Sequence, residues 1–253
     1  MRIIDINSDL GEFSDDLHLE NDRQVLGCVT SANIACGFHA SDPLTMTKSV
    51  RMAKEAGAAI GAHPGFPDRE NFGRREMTFP PEEIRAMVLC QIGALQAICR
   101  AEGAVMTHVK PHGAMYNMAA KDEALAEAIA DAIASADPAL IFAGLSGSCM
   151  ADAAEARGLR FAAEVFADRA YEDDGTLVSR GKPGAMIEDE DEAVSRMIRL
   201  IHEGVIESIN GKDIPLRADT ICVHGDGPKA LGFASKLREA LEQDGIAVRN
   251  MIK

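Results

Sequence analysis

The chain has 253 residues, 47% of them hydrophobic, and a formal net charge of −14. It can bury a full core, and its length suits an α/β barrel. The acidity argues against a nucleic-acid or anionic-membrane partner, and an aromatic content of 4% with no Trp leaves few rings for gripping sugar chains or flat bases.

Short apolar runs predict strands at Ile3–Asn7, Val29–Ala35, Ala59–His63, Val105–Val109, Leu140–Ala143, Phe161–Phe166 and Thr220–His224. Helices are expected between them. One starts at Ser41 or Asp42 as cap, with Pro43 in its first turn, and ends at Gly57. Another starts near Pro81, carries Ile84, Val88, Ile92, Leu95 and Cys99 on one face, and stops at Gly103. A third has Leu125, Ile129 and Ile133 in a stripe, and the last runs from about Pro228 to Asp244. The acidic run Glu188–Glu192 reads as a helix N-terminal turn, where the dipole favours negative charge. Pro111 and Gly113 read as a sharp exit from the fourth strand rather than a helix. The segment "IAVRN" adds a short final strand.

Strands alternating with helices imply a parallel sheet covered by helices. In the first strand Ile4 and Ile6 share one face, and Asp5, Asn7 and Asp9 share the other. In the fourth, His108 and Lys110 face away from Val105, Thr107 and Val109. A central strand of an open sheet would be apolar on both faces, so one polar face favours a closed seven-stranded parallel β/α barrel with a polar lumen or rim. Residues 1–253 read as a single domain, with no linker or low-complexity segment. No run approaches the roughly 18 apolar residues of a membrane span, and Asp5 and Asp9 interrupt any secretory signal. The scattered cysteines form no CxxC and read as reduced. A cytoplasmic enzyme is the expected class.

Ligands of parallel α/β folds bind beyond the carboxyl ends of the strands. Those ends carry Asp9 and Glu12, then Asn33, His39 and Asp42, then His63 and Asp68, then His108, Lys110 and His112, then Glu164, Asp168 and Arg169, and finally His224 and Asp226. A lone histidine there is usually a satisfied hydrogen-bonding residue. Five converging from different strands mark a site. Asp5 can equally belong to a buried polar network in the barrel floor. The aperiodic segment Ala167–Ile187 reads as a lid or binding loop bringing Arg169, Arg180 and Lys182 to the mouth. In Gly65–Glu76, Arg74 and Arg75 either meet an anionic substrate or cover the rim. No P-loop, GxGxxG after a strand, GxSxG or HExxH is present. Gly227 and Lys229 at a helix start give only a weak phosphate signal.

Asp9, Glu12, Lys110 and His112 are the candidate catalytic residues, as acid–base groups and a charge stabiliser. Asn7, Asn33, His108, Glu164, Arg169, Arg180, His224 and Asp226 are the candidate substrate- or phosphate-binding residues. Asp9, His39 and His63 are the candidate ligands for a divalent cation. The chemistry stops at a hydrolase for a small, anionic, non-aromatic substrate.

The strings "DINSDLGE", "ANIACGFHASDP", "GAHPGFPD", "FGRR", "HVKPHGAMYN", "EVFADRAY", "DGTLVSR" and "VHGD" carry an end-to-end resemblance to the LamB/YcsF family. The resemblance implies a seven-stranded barrel like that of polysaccharide deacetylases. It implies ATP-dependent opening of 5-oxo-L-proline to L-glutamate by a multi-subunit 5-oxoprolinase, in which this chain works with partner subunits B and C. ATP is then a co-substrate, and magnesium is the expected divalent cation. Two rival readings stand beside it: a metal-dependent deacetylase or amidohydrolase needing no ATP, and a non-catalytic protein binding a small carboxylate.

Overall fold

Placing the apolar side chains of the first strand outward and the polar ones inward closes a barrel. A computed structural model describes residues 2–223 and 230–252. The elements run β1 (Ile3–Leu10), α1 (Asp16–Leu26), β2 (Ser31–Ala35), α2 (Pro43–Ala56), β3 (Ala59–His63), α3 (Pro81–Ala101), β4 (Met106–Val109), α4 (Gly113–Ala119) and α5 (Glu123–Ala136). They continue with β5 (Ile141–Leu145), α6 (Cys149–Ala156), β6 (Arg160–Phe166), α7 (Glu190–Glu203), β7 (Val205–Glu207), β8 (Asp213–Pro215), β9 (Thr220–Cys222), α8 (Ala230–Gln243) and β10 (Ala247–Val248).

The parallel strands β1, β2, β3, β4, β5, β6 and β9 pair in that order, and β9 closes on β1 through Asp5–Thr220 and Asn7–Cys222. This is the expected seven-stranded barrel. The short β10, the anticipated final strand, lies beside the start of β1. The antiparallel β7–β8 pair was not. Its strands have three residues each, too few for an alternation to register.

Local chemistry explains the helix ends. The Asp42 side chain accepts from the backbone N–H groups of Leu44 and Thr45 and caps α2, with Pro43 in the first turn. Asp189 caps α7, whose first turn holds Glu190, Asp191 and Glu192. In α3, Ile84, Val88, Ile92, Leu95 and Cys99 are buried on one face. By length and composition α3 could cross a membrane; here that face is packed into the core.

One expectation is corrected. Residues after Lys110 do not simply leave the strand, because α4 begins at Gly113 with His112 as its N-cap. Gly113 has φ +56°, and a Cβ there would lie 2.6 Å from the Gly73 carbonyl oxygen, so only glycine fits. Its neighbour's amide, Ala114 N–H, donates to that same carbonyl and ties the start of α4 to the loop after β3.

Candidate active site

The lumen is layered. In the floor Asp5 accepts from the hydroxyls of Thr30, Ser31 and Thr220. Burial raises its carboxyl pKa to about 6, although those bonds work against the shift. Asp5 therefore belongs to the structural network that was the alternative reading. One layer higher, Asn7 Nδ2 donates to Glu164 Oε1 at 3.0 Å and to Thr220. Asn33 Nδ2 donates to Asn7 and Asp9, and the Asn33 oxygen lies 2.9 Å from His108 Nε2. Burial, then the Lys110 charge, lowers the His108 pKa to about 3, so the ring is neutral.

Lys110 stands above this layer. Its Nζ lies 2.8 Å from Glu164 Oε1, 2.9 Å from Asp9 Oδ1, 3.1 Å from Cys222 Sγ and 3.2 Å from Asn7 Oδ1. Burial opposes its charge, but the neighbouring carboxylates outweigh that penalty and hold its pKa well above the usual lysine value. Its three protons already face these acceptors. Lys110 is thus a fixed cation neutralised within the protein, not a base.

At the mouth, Glu12, His39, His63 and His112 bring one ligand atom each within 4.8 Å of one another. Glu12 Oε1 lies 3.4 Å from His112 Nδ1 and 3.6 Å from His39 Nε2. The His39 and His112 rings stack at 3.8 Å, and His63 meets both edge-on. Burial keeps His39 and His112 below the usual histidine pKa, His112 at about 3. These four side chains could hold a metal ion. The expected trio shared two of them. Asp9 instead spends Oδ1 on Lys110 and Asn33, with Oδ2 3.3 Å from His63 Nε2.

A cavity of about 620 Å³ opens over this group. Of the residues singled out in the sequence, Asp9, Glu12, His63, Lys110, His112, Arg169 and Arg180 line it. Asn7, Asn33, His108 and Glu164 do not. They are fully buried and bonded to one another. His224 and Asp226, with Gly227 and Lys229, lie outside the described residues.

The segment 167–187 is not structureless. Bridges pair Arg169 with Met186 and Tyr171 with Leu177, and Ala170, Val178 and Ala185 pack together. It covers one side of the cavity with Thr176, Leu177, Val178, Ser179 and Arg180. Arg169 is 6% exposed; one terminal nitrogen donates to the Val178 carbonyl at 2.7 Å, and its Nε has no hydrogen-bond partner among the described residues. Lys182 does not reach the mouth, because it pairs with Glu172 at 2.7 Å. Arg74 lines the cavity over the Phe72 ring, whereas Arg75 pairs with Asp68.

Two contributors escaped the sequence reading. Phe72 has φ +55°, uncommon for a bulky residue. Its carbonyl oxygen lies 2.8 Å from His112 Nε2. The motif "FGRR" was visible, but a backbone carbonyl has no sequence signature. Tyr116, on α4, lines the cavity, and its buried hydroxyl faces the Glu164 carboxylate. Burial pushes its pKa well above the usual tyrosine value, so it is a neutral donor.

Comparison with known proteins places this architecture. The family model described as LamB/YcsF matches residues 4–253. The chain is 56% identical over 245 residues to the 5-oxoprolinase A subunit of Clostridium beijerinckii, covering 97% of this chain and 96% of that protein. It is 55% identical over 249 residues to the 5-oxoprolinase A subunit of Geobacillus kaustophilus, covering 98% and 97%. The crystal structure of a lactam utilization protein from Thermus thermophilus superposes with a TM-score of 0.92 at 46% identity, covering 98% of this chain and 99% of that one. A family match over nearly the whole length and a shared barrel make the assignment plain: the chain belongs to the LamB/YcsF family.

Proposed function

We propose that this chain is the A component of a 5-oxoprolinase, opening the lactam of 5-oxo-L-proline to L-glutamate with ATP and partner subunits B and C. The observation that carries this reading is the mixed lining of the cavity. Its lining combines the acid–base and imidazole groups Asp9, Glu12, His63 and His112 with the cations Arg169 and Arg180. Arg169, with its uncommitted buried Nε, suits the substrate carboxylate. The names borne by close relatives point to the same substrate class.

A lactam carbonyl is a poor electrophile. Transfer of the ATP γ-phosphoryl group to its oxygen would make that oxygen a leaving group. Attack of water on the ring carbon with cleavage of the C–N bond frees the amine and leaves the carboxyl as an acyl phosphate, and a second water then releases phosphate to give glutamate. In this scheme Asp9, at the cavity wall with Oδ2 beside His63, takes the proton of the attacking water. Lys110 holds Asp9 in place through Oδ1. Magnesium arrives on ATP as its counter-ion, and the components of the complex share the nucleotide. A cytoplasmic location belongs to this reading, in keeping with six free cysteines, and residues 1–253 act as one domain.

The imidazole-rich group favours a second reading, a metal-dependent amidohydrolase that needs no ATP. Glutamate release from 5-oxoproline, measured for this chain with and without subunits B and C and with and without ATP, separates the two. Glutamate formed only by the complete set with ATP supports the first; release by this chain alone without ATP replaces it with the second. No release under any condition leaves a non-catalytic protein that binds a small carboxylate.

A further inference from the structure

Hydrogen-bond partners fix the tautomers of two histidines. His63 Nδ1 lies 2.7 Å from the Lys110 carbonyl oxygen, and His112 Nε2 lies 2.8 Å from the Phe72 carbonyl oxygen. A carbonyl only accepts, so those two nitrogens carry the protons. The other nitrogens, His63 Nε2 and His112 Nδ1, then bear lone pairs. They face each other at 2.9 Å. Two lone pairs at that distance repel unless a cation lies against both, and only a shared proton or a metal ion meets that need.

The surroundings favour the metal. His39, with a side chain that is fully buried, stacks on His112 and has no hydrogen-bond partner for either nitrogen among the described residues. A shared proton would satisfy His63 and His112 and leave His39 unexplained, since a buried imidazole ordinarily finds a partner. A metal ion gives His39 Nε2 a partner along with His63 Nε2 and His112 Nδ1, and uses Glu12 Oε1 as a fourth donor. Two nitrogens bound at about 2.0–2.1 Å to one ion stand roughly 3 Å apart, which the His63–His112 separation matches.

We infer that Glu12 Oε1, His39 Nε2, His63 Nε2 and His112 Nδ1 form a site for a borderline transition-metal ion of the zinc class, not for magnesium. Three imidazoles and one carboxylate are the donors that such ions select, whereas magnesium takes oxygen ligands and keeps several waters. Glu12, His63 and His112 line the cavity and His39 does not, so any further ligand enters from the cavity side. The Lys110 and Phe72 carbonyls are the outer partners that orient the rings. The second of these gives a purpose to the left-handed backbone at Phe72.

The test needs neither substrate, ATP nor partner proteins, so its failure is separate from failure of the 5-oxoprolinase reading. Chelator-stripped full-length chain is titrated with Co²⁺ and Zn²⁺, followed by calorimetry and visible absorption. The expected result is one ion per chain, visible bands of nitrogen-ligated cobalt that zinc abolishes, and no displacement by excess Mg²⁺. His63→Gln and His112→Gln, with fold checked by circular dichroism, should each weaken cobalt binding roughly a hundredfold or more. If these variants fail to fold, ¹⁵N-imidazole NMR of the unsubstituted chain decides: zinc should shift the resonances of His39, His63 and His112 and leave His108 in place. A folded chain that takes up no metal and shows a proton shared by His63 and His112 overturns the inference. So does magnesium binding as tightly as cobalt, or cobalt uptake unchanged in both folded variants.

Discussion

Glu164 Oε1 lies 2.8 Å from Lys110 Nζ at the centre of the barrel, with both side chains almost wholly excluded from solvent. Asp9 holds the same ammonium at 2.9 Å. One cation therefore faces two carboxylates in a medium where an unpaired charge is costly. Removing it should be far worse than losing a surface ion pair. Lys110→Met is expected to lower the unfolding free energy by about 3–5 kcal/mol, measured by denaturant titration. The double variant Lys110→Met/Glu164→Gln should recover part of that loss. A single variant as stable as the unsubstituted chain would contradict the pairing.

Arg169 lines the cavity with a buried Nε free of partners among the described residues. In the complete complex Arg169→Gln should raise KM for 5-oxoproline by roughly 10–100-fold, the worth of a hydrogen bond to a charged group, with a smaller change in kcat. Steady-state kinetics on substrate and on an analogue lacking the carboxylate checks this. The analogue should be indifferent to the substitution.

His108 is buried and neutral, its pKa lowered from 6.5 to about 3. The unfolded chain takes up a proton there below about pH 6.5, and the folded chain does not. Its contribution to stability is thus present above pH 6.5 and is lost as pH falls towards about 3. At about pH 5 the loss is about 2 kcal/mol. His108→Gln, which can still donate to Asn33, should narrow its stability gap to the unsubstituted chain by this amount between about pH 7 and 5. A gap independent of pH in denaturant titrations would show that His108 is not held neutral.

Gly65 sits behind His39. A Cβ there would lie 2.5 Å from His39 Nδ1, and the Gly65 backbone cannot retreat because Gln91 bonds both its N–H and its carbonyl. The ring must move instead. Gly65→Ala should cost about 1–3 kcal/mol of stability from overpacking and reduce the activity of the complex by roughly tenfold to a hundredfold. Thermal unfolding and turnover measured on one preparation test both. Full activity would mean that the position of His39 does not matter.

Much of the barrel was legible because strand parity is a local property. Ile4 and Ile6 alternate with Asp5, Asn7 and Asp9, and that alone sends five side chains of β1 to opposite faces. Depth was not legible. His108 and Lys110 share a face, yet one braces Asn33 below the cavity and the other lines it. Two residues of strand separate them by about 6.6 Å, a whole layer of side chains. For the same reason Asn7 and Asn33 lie buried outside the cavity lining.

The sequence by itself determined the seven barrel strands, the polar lumen, and the concentration of histidines and carboxylates at the strand ends. Those follow from periodicity and capping, which act between near neighbours. Only the tertiary structure decided which of them meet. Closure of β9 on β1 set Lys110 between Asp9 and Glu164, and so took Asp9 out of the expected ligand trio. The start of α4 at Gly113, anchored to the Gly73 carbonyl, placed His112 against His63 and His39. Such encounters depend on how loops from different strands cross the mouth of a closed barrel, and pairings between distant segments are written in no single stretch of chain.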